Sequence, residues 1–149
     1  MFSTNSPATF VTSRGALDRA LALVAEESFF AMVDPVPEHL PAVEGQIVSA
    51  SVTFEGSFSG AVTCRMPRAL AHELTAAFTG EDVPSDGEVV DDLAGEFANM
   101  VCGRWLTDVA PHSLFRLDQP VVVSASAPPR APTGLLNGQP IWVDLKIEG

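Results

Sequence analysis

Glu96 and Asn99 stand three residues apart in the run Gly95-Glu96-Phe97-Ala98-Asn99-Met100-Val101-Cys102-Gly103. On a helix that spacing makes a carboxylate and an amide neighbours, about 5–6 Å apart at Cβ. At about 100° per residue, Val90, Leu93, Phe97 and Val101 fall within an arc of roughly 80°, the face a core would take up. Asp92, Glu96, Asn99 and Gly103 fall within roughly 60° of one another on the far side. Most such pairs belong to a solvated helix face, but this one is costly. Inside a helix Asn gives up roughly half a kcal/mol relative to Ala, and Gly95 and Gly103 about 1 kcal/mol each. A solvated face would more naturally carry Lys, Gln or Ala. Glycine beside a polar pair suits a surface that another molecule's backbone approaches, and Gly103 lies one turn further along the stripe.

Little else in the chain offers chemistry. The two cysteines, Cys64 and Cys102, match no zinc or redox spacing and read as reduced, buried residues. The three histidines, His39, His72 and His112, show neither i,i+4 pairing nor an HExxH pattern. There is no glycine-rich phosphate loop, no GxSxG elbow and no cluster of metal ligands, so the chain is poorly equipped as a self-sufficient enzyme. With 19 acidic against 8 basic residues the net charge is −11. That charge repels phosphate backbones and anionic lipid, which argues against nucleic acid and membrane surfaces, and a partner should bring positive charge to the contact. The opening MFSTNSPATFVT has no basic and apolar leader pattern, and no apolar run reaches the ~18 residues of a membrane span, so the cytoplasm is the expected compartment.

The elements that must hold the polar stripe follow from periodicity. A chain of 149 residues, 46% apolar and 18% charged, fits one globular domain. Residues 1–12 read as a flexible tail and 13–149 as that domain. Leu17, Leu21, Val24 and Phe29 have helical spacing, and Asp34-Pro35 should end their helix. A proline-rich connection leads to an alternating run, Val48, Ala50, Val52 and Phe54 on one side, and a turn at EGSFSG returns it through Val62, Cys64 and Met66 as a β-hairpin. Pro67 opens a second helix with the stripe Leu70, Leu74, Ala77 and Phe78, and Gly80 caps it. Ser85 and Glu88 fit a capping box for the long helix, which Pro111 ends after about 25 residues, ~37 Å. FRLDQPVVVSASA and PIWVDLKIE read as two more strands, with room between them for a short strand at Leu135-Leu136 and a turn at Asn137-Gly138. The order αββααββ indicates an α+β domain, a mainly antiparallel sheet packed against helices.

The run Gly95, Glu96, Asn99, Met100 and Gly103 resembles the G-E-x-x-N-M-x-x-G signature of the CheC/CheX/FliY phosphatases of bacterial chemotaxis. The likeness extends from FEGSFSGAVTCRMPRALAHELTAAFTG to DQPVVVSA, and spans about residues 15–147. The resemblance implies a CheC/CheX-like fold with one long exposed helix and a substrate that is the aspartyl phosphate of a CheY-like response regulator. In it Asn99 would orient the attacking water and Glu96 would dock the lysine beside the phosphorylation site. Asp92, Gly95, Met100 and Gly103 would contact the partner. No metal is expected in this chain; the receiver would hold Mg²⁺. A single acidic-x-x-Asn motif resembles the CheX branch, which implies a homodimer joined through the sheets, with Trp142 on the surface open to a second chain. Arg104 and Trp105 depart from the pattern and are expected to reshape docking. The alternative implied by the same fold is a non-catalytic module that binds a response regulator or a flagellar-switch-like partner.

Overall fold

The computed structural model describes residues 7–43, 45–84 and 86–148. The first helix, α1, runs Pro7–Phe29. It therefore begins inside the segment expected to be tail, of which residues 1–6 lie outside the described residues. Leu17, Ala20, Leu21, Val24, Ala25 and Phe29 are buried at helical spacing. The helix ends before Asp34-Pro35 because Phe30 turns left-handed, φ 55°, and the Ala31 amide reaches back to the Ala25 carbonyl at 3.0 Å. A left-handed residue just past the last turn, with a backbone amide returned to a carbonyl of that turn, is a common way for a helix to end. Val33, expected at the end of the helix, instead forms β1 with Asp34, and the two pair with Leu136 and Leu135.

β2, Ile47–Glu55, and β3, Ser59–Pro67, make the expected hairpin, with Val52 opposite Val62 and Ala50 opposite Cys64. Val48, Ala50, Val52, Phe54, Val62, Cys64 and Met66 point to the buried face, as the two-residue period requires. The C-terminal strand β7, Gln139–Glu148, pairs with the other edge of β3 and is joined to β6, Gly134–Leu136, by a two-residue turn. Asn137 and Gly138 both have positive φ there, 51° and 77°, the backbone of a type I′ hairpin turn. The sheet is antiparallel throughout, in the order β1-β6-β7-β3-β2.

The outer edge of β2 departs from expectation in an informative way. One strand was expected across residues 115–127; two pair there, β4 at Arg116–Leu117 and β5 at Val121–Ala125. Between the pairs Phe54–Leu117 and Ser51–Val121, β2 uses two residues and its partner three, so one residue is bulged out. Pro120, which has no amide to give a ladder, sits in this break. The Asp118 amide and carboxylate tie it to the Thr53 carbonyl and hydroxyl at 3.0 and 2.7 Å.

α2, Arg68–Thr79, starts one residue after Pro67, which is its N-cap, and ends on left-handed Gly80 at φ 73°. Its buried stripe is Leu70, Ala71, Leu74 and Thr75. Ala77 is exposed, and Phe78, though in line with the stripe, is 48% exposed at the helix end, one face stacked on Phe29 at 5.2 Å. The long helix, α3, runs Glu88–Val109 with Gly87 as its N-cap and no side-chain cap bond. Ser85 of the expected capping box lies outside the described residues. Arg68 fixes this end instead, donating to the Gly87 carbonyl at 3.2 Å and pairing with Asp91 at 2.8 Å. α3 crosses the buried face of β2, β3 and β5, with α1 and α2 along its flanks. Phe97 meets Phe29 at 5.1 Å, and Trp105 meets Phe54 and Phe58 at 5.7 and 6.1 Å. Among the described residues no helix is long and apolar enough to cross a membrane.

The glycines of α3 differ in what surrounds them. A Cβ on Gly95 would lie 3.1 Å from Pro120 Cβ and 3.3 Å from Val122 Cγ2, whereas one on Gly103 would meet nothing within 4 Å. Gly103→Ala should therefore raise stability by about 1 kcal/mol. Gly95→Val, which overpacks the strand contact, should lower it by about 1–3 kcal/mol. Urea titration of both variants beside the parent chain measures the two signs.

Candidate active site

What α3 can present is decided by how little of it stays uncovered. Val90, Leu93, Ala94, Gly95, Phe97, Ala98, Val101, Cys102, Trp105 and Leu106 are buried, an arc of about 220° at 100° per residue. It is far wider than the arc of Val90, Leu93, Phe97 and Val101 alone, because α3 has the sheet on one side and α1 and α2 on its flanks. A single stripe remains. Asp92 and Glu96 are exposed on it, and Asn99, Met100 and Gly103 are half-buried. From Asp92 to Gly103 it extends about 16 Å at 1.5 Å per residue.

The expected docking residues do not all belong to this stripe. Gly95 is a correction: it is buried against the chain's own Pro120 and Val122, so its missing side chain admits the bulged strand and not a partner. Met100 lies at the stripe's edge and packs against the core. Gly103 does leave open space. Trp105 is a second correction, since it is 1% exposed inside the aromatic cluster and cannot reshape docking by contact. Arg104 is held by Glu27 at 3.3 Å and by Asp108 at 3.7 Å. Trp142 is a third. It is 2% exposed, and its indole nitrogen donates to the Arg130 carbonyl at 3.0 Å, so the chain's own loop covers it.

Among the described residues nothing hydrogen-bonds to or ion-pairs with the side chains of Asp92, Glu96 and Asn99. An amide with both donor and acceptor functions thus faces outward beside two carboxylates. The nearby cations Arg68 and Arg104 are engaged by Asp91, Glu27 and Asp108, which leaves the stripe negative and suited to a cation. Among the described residues no three His, Cys, Asp or Glu side chains converge as metal ligands would. The thiols are no nucleophiles. Burial pushes Cys64 far up, with the neighbouring Cys102 thiol and Asp144 adding to it, and burial pushes Cys102 up to about 12.

Residues 48–138 match the family described as "Chemotaxis phosphatase CheX". The chain belongs to the CheX family. Among solved structures it is similar to a CheX chemotaxis protein of Desulfovibrio desulfuricans, TM-score 0.71 at 18% identity, covering 92% of this chain and 99% of that one. A CheX of Vibrio vulnificus gives 0.70 at 21% identity, covering 91% and 96%. A CheX of Borrelia burgdorferi, solved as a complex with CheY, BeF3 and magnesium, gives 0.67 at 17% identity, covering 92% and 98%. Among curated proteins none matches the sequence. At these identities the structures establish the α+β CheX/CheC-like fold, and the family is one of chemotaxis phosphatases.

One feature of the CheX-like face was not readable from spacing. Phe78, in line with the buried stripe of α2, joins Thr75, Val89 and Leu93 in an open cleft of about 250 Å³ that ends at Asp92 and Glu96. Helical period places Phe78 correctly on the stripe, but no sequence signal says that nothing covers its outer face. The thiols give a test of the core under the stripe. A Cys102 thiol that ionises near 9.0 when free and near 12 when buried stays neutral in the fold while the unfolded chain ionises. Stability should therefore be full below about pH 9 and fall as pH rises from there. Denaturant midpoints at pH 7, 9 and 10 measure the decline, and thiol-reactive probes should label native protein only as it unfolds.

Proposed function

We propose that this chain removes the phosphoryl group from the aspartyl phosphate of a CheY-like response regulator, with Asn99 positioning the water and Glu96 docking a lysine of the partner. The observation that carries the reading is the placement of Glu96 and Asn99 on the single uncovered stripe of α3, their side chains unengaged, in a member of the CheX family. The Borrelia CheX complexed with CheY, BeF3 and magnesium supplies the partner class.

The division of labour follows from the chemistry. Water attacks phosphorus, the bond to the aspartyl oxygen breaks, and the products are the free aspartate carboxylate and inorganic phosphate, which keeps the protons. An acyl phosphate has a good leaving group, so the barrier falls chiefly by holding the water in line. An amide does this by accepting a hydrogen bond from the water through its oxygen, without changing its own charge. Charge on the transferring group would be met by Mg²⁺ and lysine of the receiver. Glu96 attracts that lysine, in keeping with a protein of net charge −11.

The test loads a cognate receiver with a small phosphodonor and follows phosphate release. Asn99→Ala should lose about 10²-fold or more in turnover while still binding the receiver. Glu96→Ala should raise KM, and added salt should raise KM for the parent chain through screening. Asn99→Ala as fast as the parent would overturn the catalytic role. Tight binding without turnover would assign the chain as a binding module of the same fold.

A further inference from the structure

An open, mainly apolar cleft lies beside Glu96 and touches the uncovered stripe. Thr75 and Phe78 of α2 and Val89 and Leu93 of α3 form its floor and walls, and Asp92 and Glu96 form its rim. Leu93 is buried, while Phe78 and Val89 are 48% and 39% exposed. Thr75 adds no free polar atom, because its hydroxyl donates to the Ala71 carbonyl at 2.7 Å. Thr79, which also lines the cleft, is engaged as well, its hydroxyl donating to the Thr75 carbonyl at 2.9 Å and accepting from the Glu81 amide at 3.2 Å. The floor is therefore apolar, and among the described residues the unengaged polar groups that line the opening are the carboxylates of Asp92 and Glu96. Phe78 is braced from behind by Phe29, whose ring also packs on Phe97 of α3, so the wall is backed by the core.

Two properties select the occupant. At about 250 Å³ and open to solvent, the cleft lies below the roughly 300–1,000 Å³ of sites that enclose small molecules. It suits a protruding side chain. Its rim is doubly negative on a chain of net charge −11, so that side chain must arrive with a cation next to it. Glu96 belongs to both the rim and the catalytic stripe, one helical turn from Asn99, and a partner whose lysine meets Glu96 cannot avoid lying over the cleft.

We propose that the α2/α3 cleft is the specificity pocket for the phosphorylated receiver, taking an apolar side chain that neighbours the docking lysine or another basic residue. This rests on the receiver-phosphatase reading for its partner, and it adds a second contact independent of the water-holding amide. Buried apolar anchors dominate affinity in such interfaces, with charged rims excluding wrong partners. The pocket thus sets which receiver is engaged, whereas Asn99 sets what happens to it.

The experiment uses two variants, Val89→Gln, on an exposed residue of the first turn of α3, and Phe78→Gln, with melting temperatures taken for both. Binding to a CheY-type receiver loaded with BeF3 and Mg²⁺ is measured beside turnover of the phosphorylated receiver. Expected are a roughly tenfold weaker Kd and a KM raised by a similar factor, with kcat within about twofold of the parent, the reverse of the pattern for Asn99→Ala. Parent-like Kd and KM in Val89→Gln would overturn the pocket and leave the phosphatase reading standing. Parent binding without turnover, weakened by the same variants, would uphold the pocket and overturn the phosphatase. A change in the chain's own oligomeric mass on Val89→Gln would make the cleft a self-association surface and overturn the proposal.

Discussion

The rotation of α3 about its own axis is the constraint on which the site depends. Core packing covers about 220° of the helix circumference, and Asp92, Glu96, Asn99 and Gly103 fall within the arc that remains. On one flank Phe97 wedges against Phe29, and on another Trp105 is gripped by Phe54 and Phe58. Against the sheet, Gly95 brings the helix backbone close to Pro120 and Val122. Turning α3 by one residue would bury Asn99 and expose Phe97, so every buried contact of the helix also serves to aim the amide.

A site held this way has little reorganisation left to do. Its polar groups ride on a helix fixed by side chains that are almost completely buried, and they use no strained backbone. That suits a reaction in which the chain contributes position and the partner contributes charge. It also separates the requirements for folding from those for activity. The interior is apolar and made up of neutral groups, its two thiols held protonated by burial, while the carboxylates that would meet the partner are at the surface, where their mutual repulsion is screened by solvent.

The sequence made the helices and the hairpin legible because each has one buried face and a clean period. Leu17, Leu21, Val24 and Phe29 are all buried, and Val48, Ala50, Val52 and Phe54 line one side of their strand. The polar stripe was legible for the same reason. What local period could not show were features set by neighbours distant in sequence. Gly95 looked like an opening for a partner because its true occupant, Pro120, approaches from a strand beyond the helix. Trp105 and Trp142 looked available because aromatic residues carry no sign of what covers them; one is enclosed by Phe54 and Phe58, the other lies under the loop of Arg130. The anchoring of the α3 N-terminal end by Arg68 was hidden likewise, since the guanidinium comes from another helix.

The bulged residue at the edge of β2 gains a meaning from this. By taking three residues where β2 takes two, it sets the height at which Pro120 meets the groove left by Gly95, and so acts as a rotational stop for the helix that bears the active groups. Strand register and catalytic aim are then a single variable in this fold. A one-residue deletion in 118–120, on the side of α3 that packs on the sheet, would be felt as a misdirected amide before it was felt as a lost strand. Natural variation at that edge and at position 95 should be free to move only together.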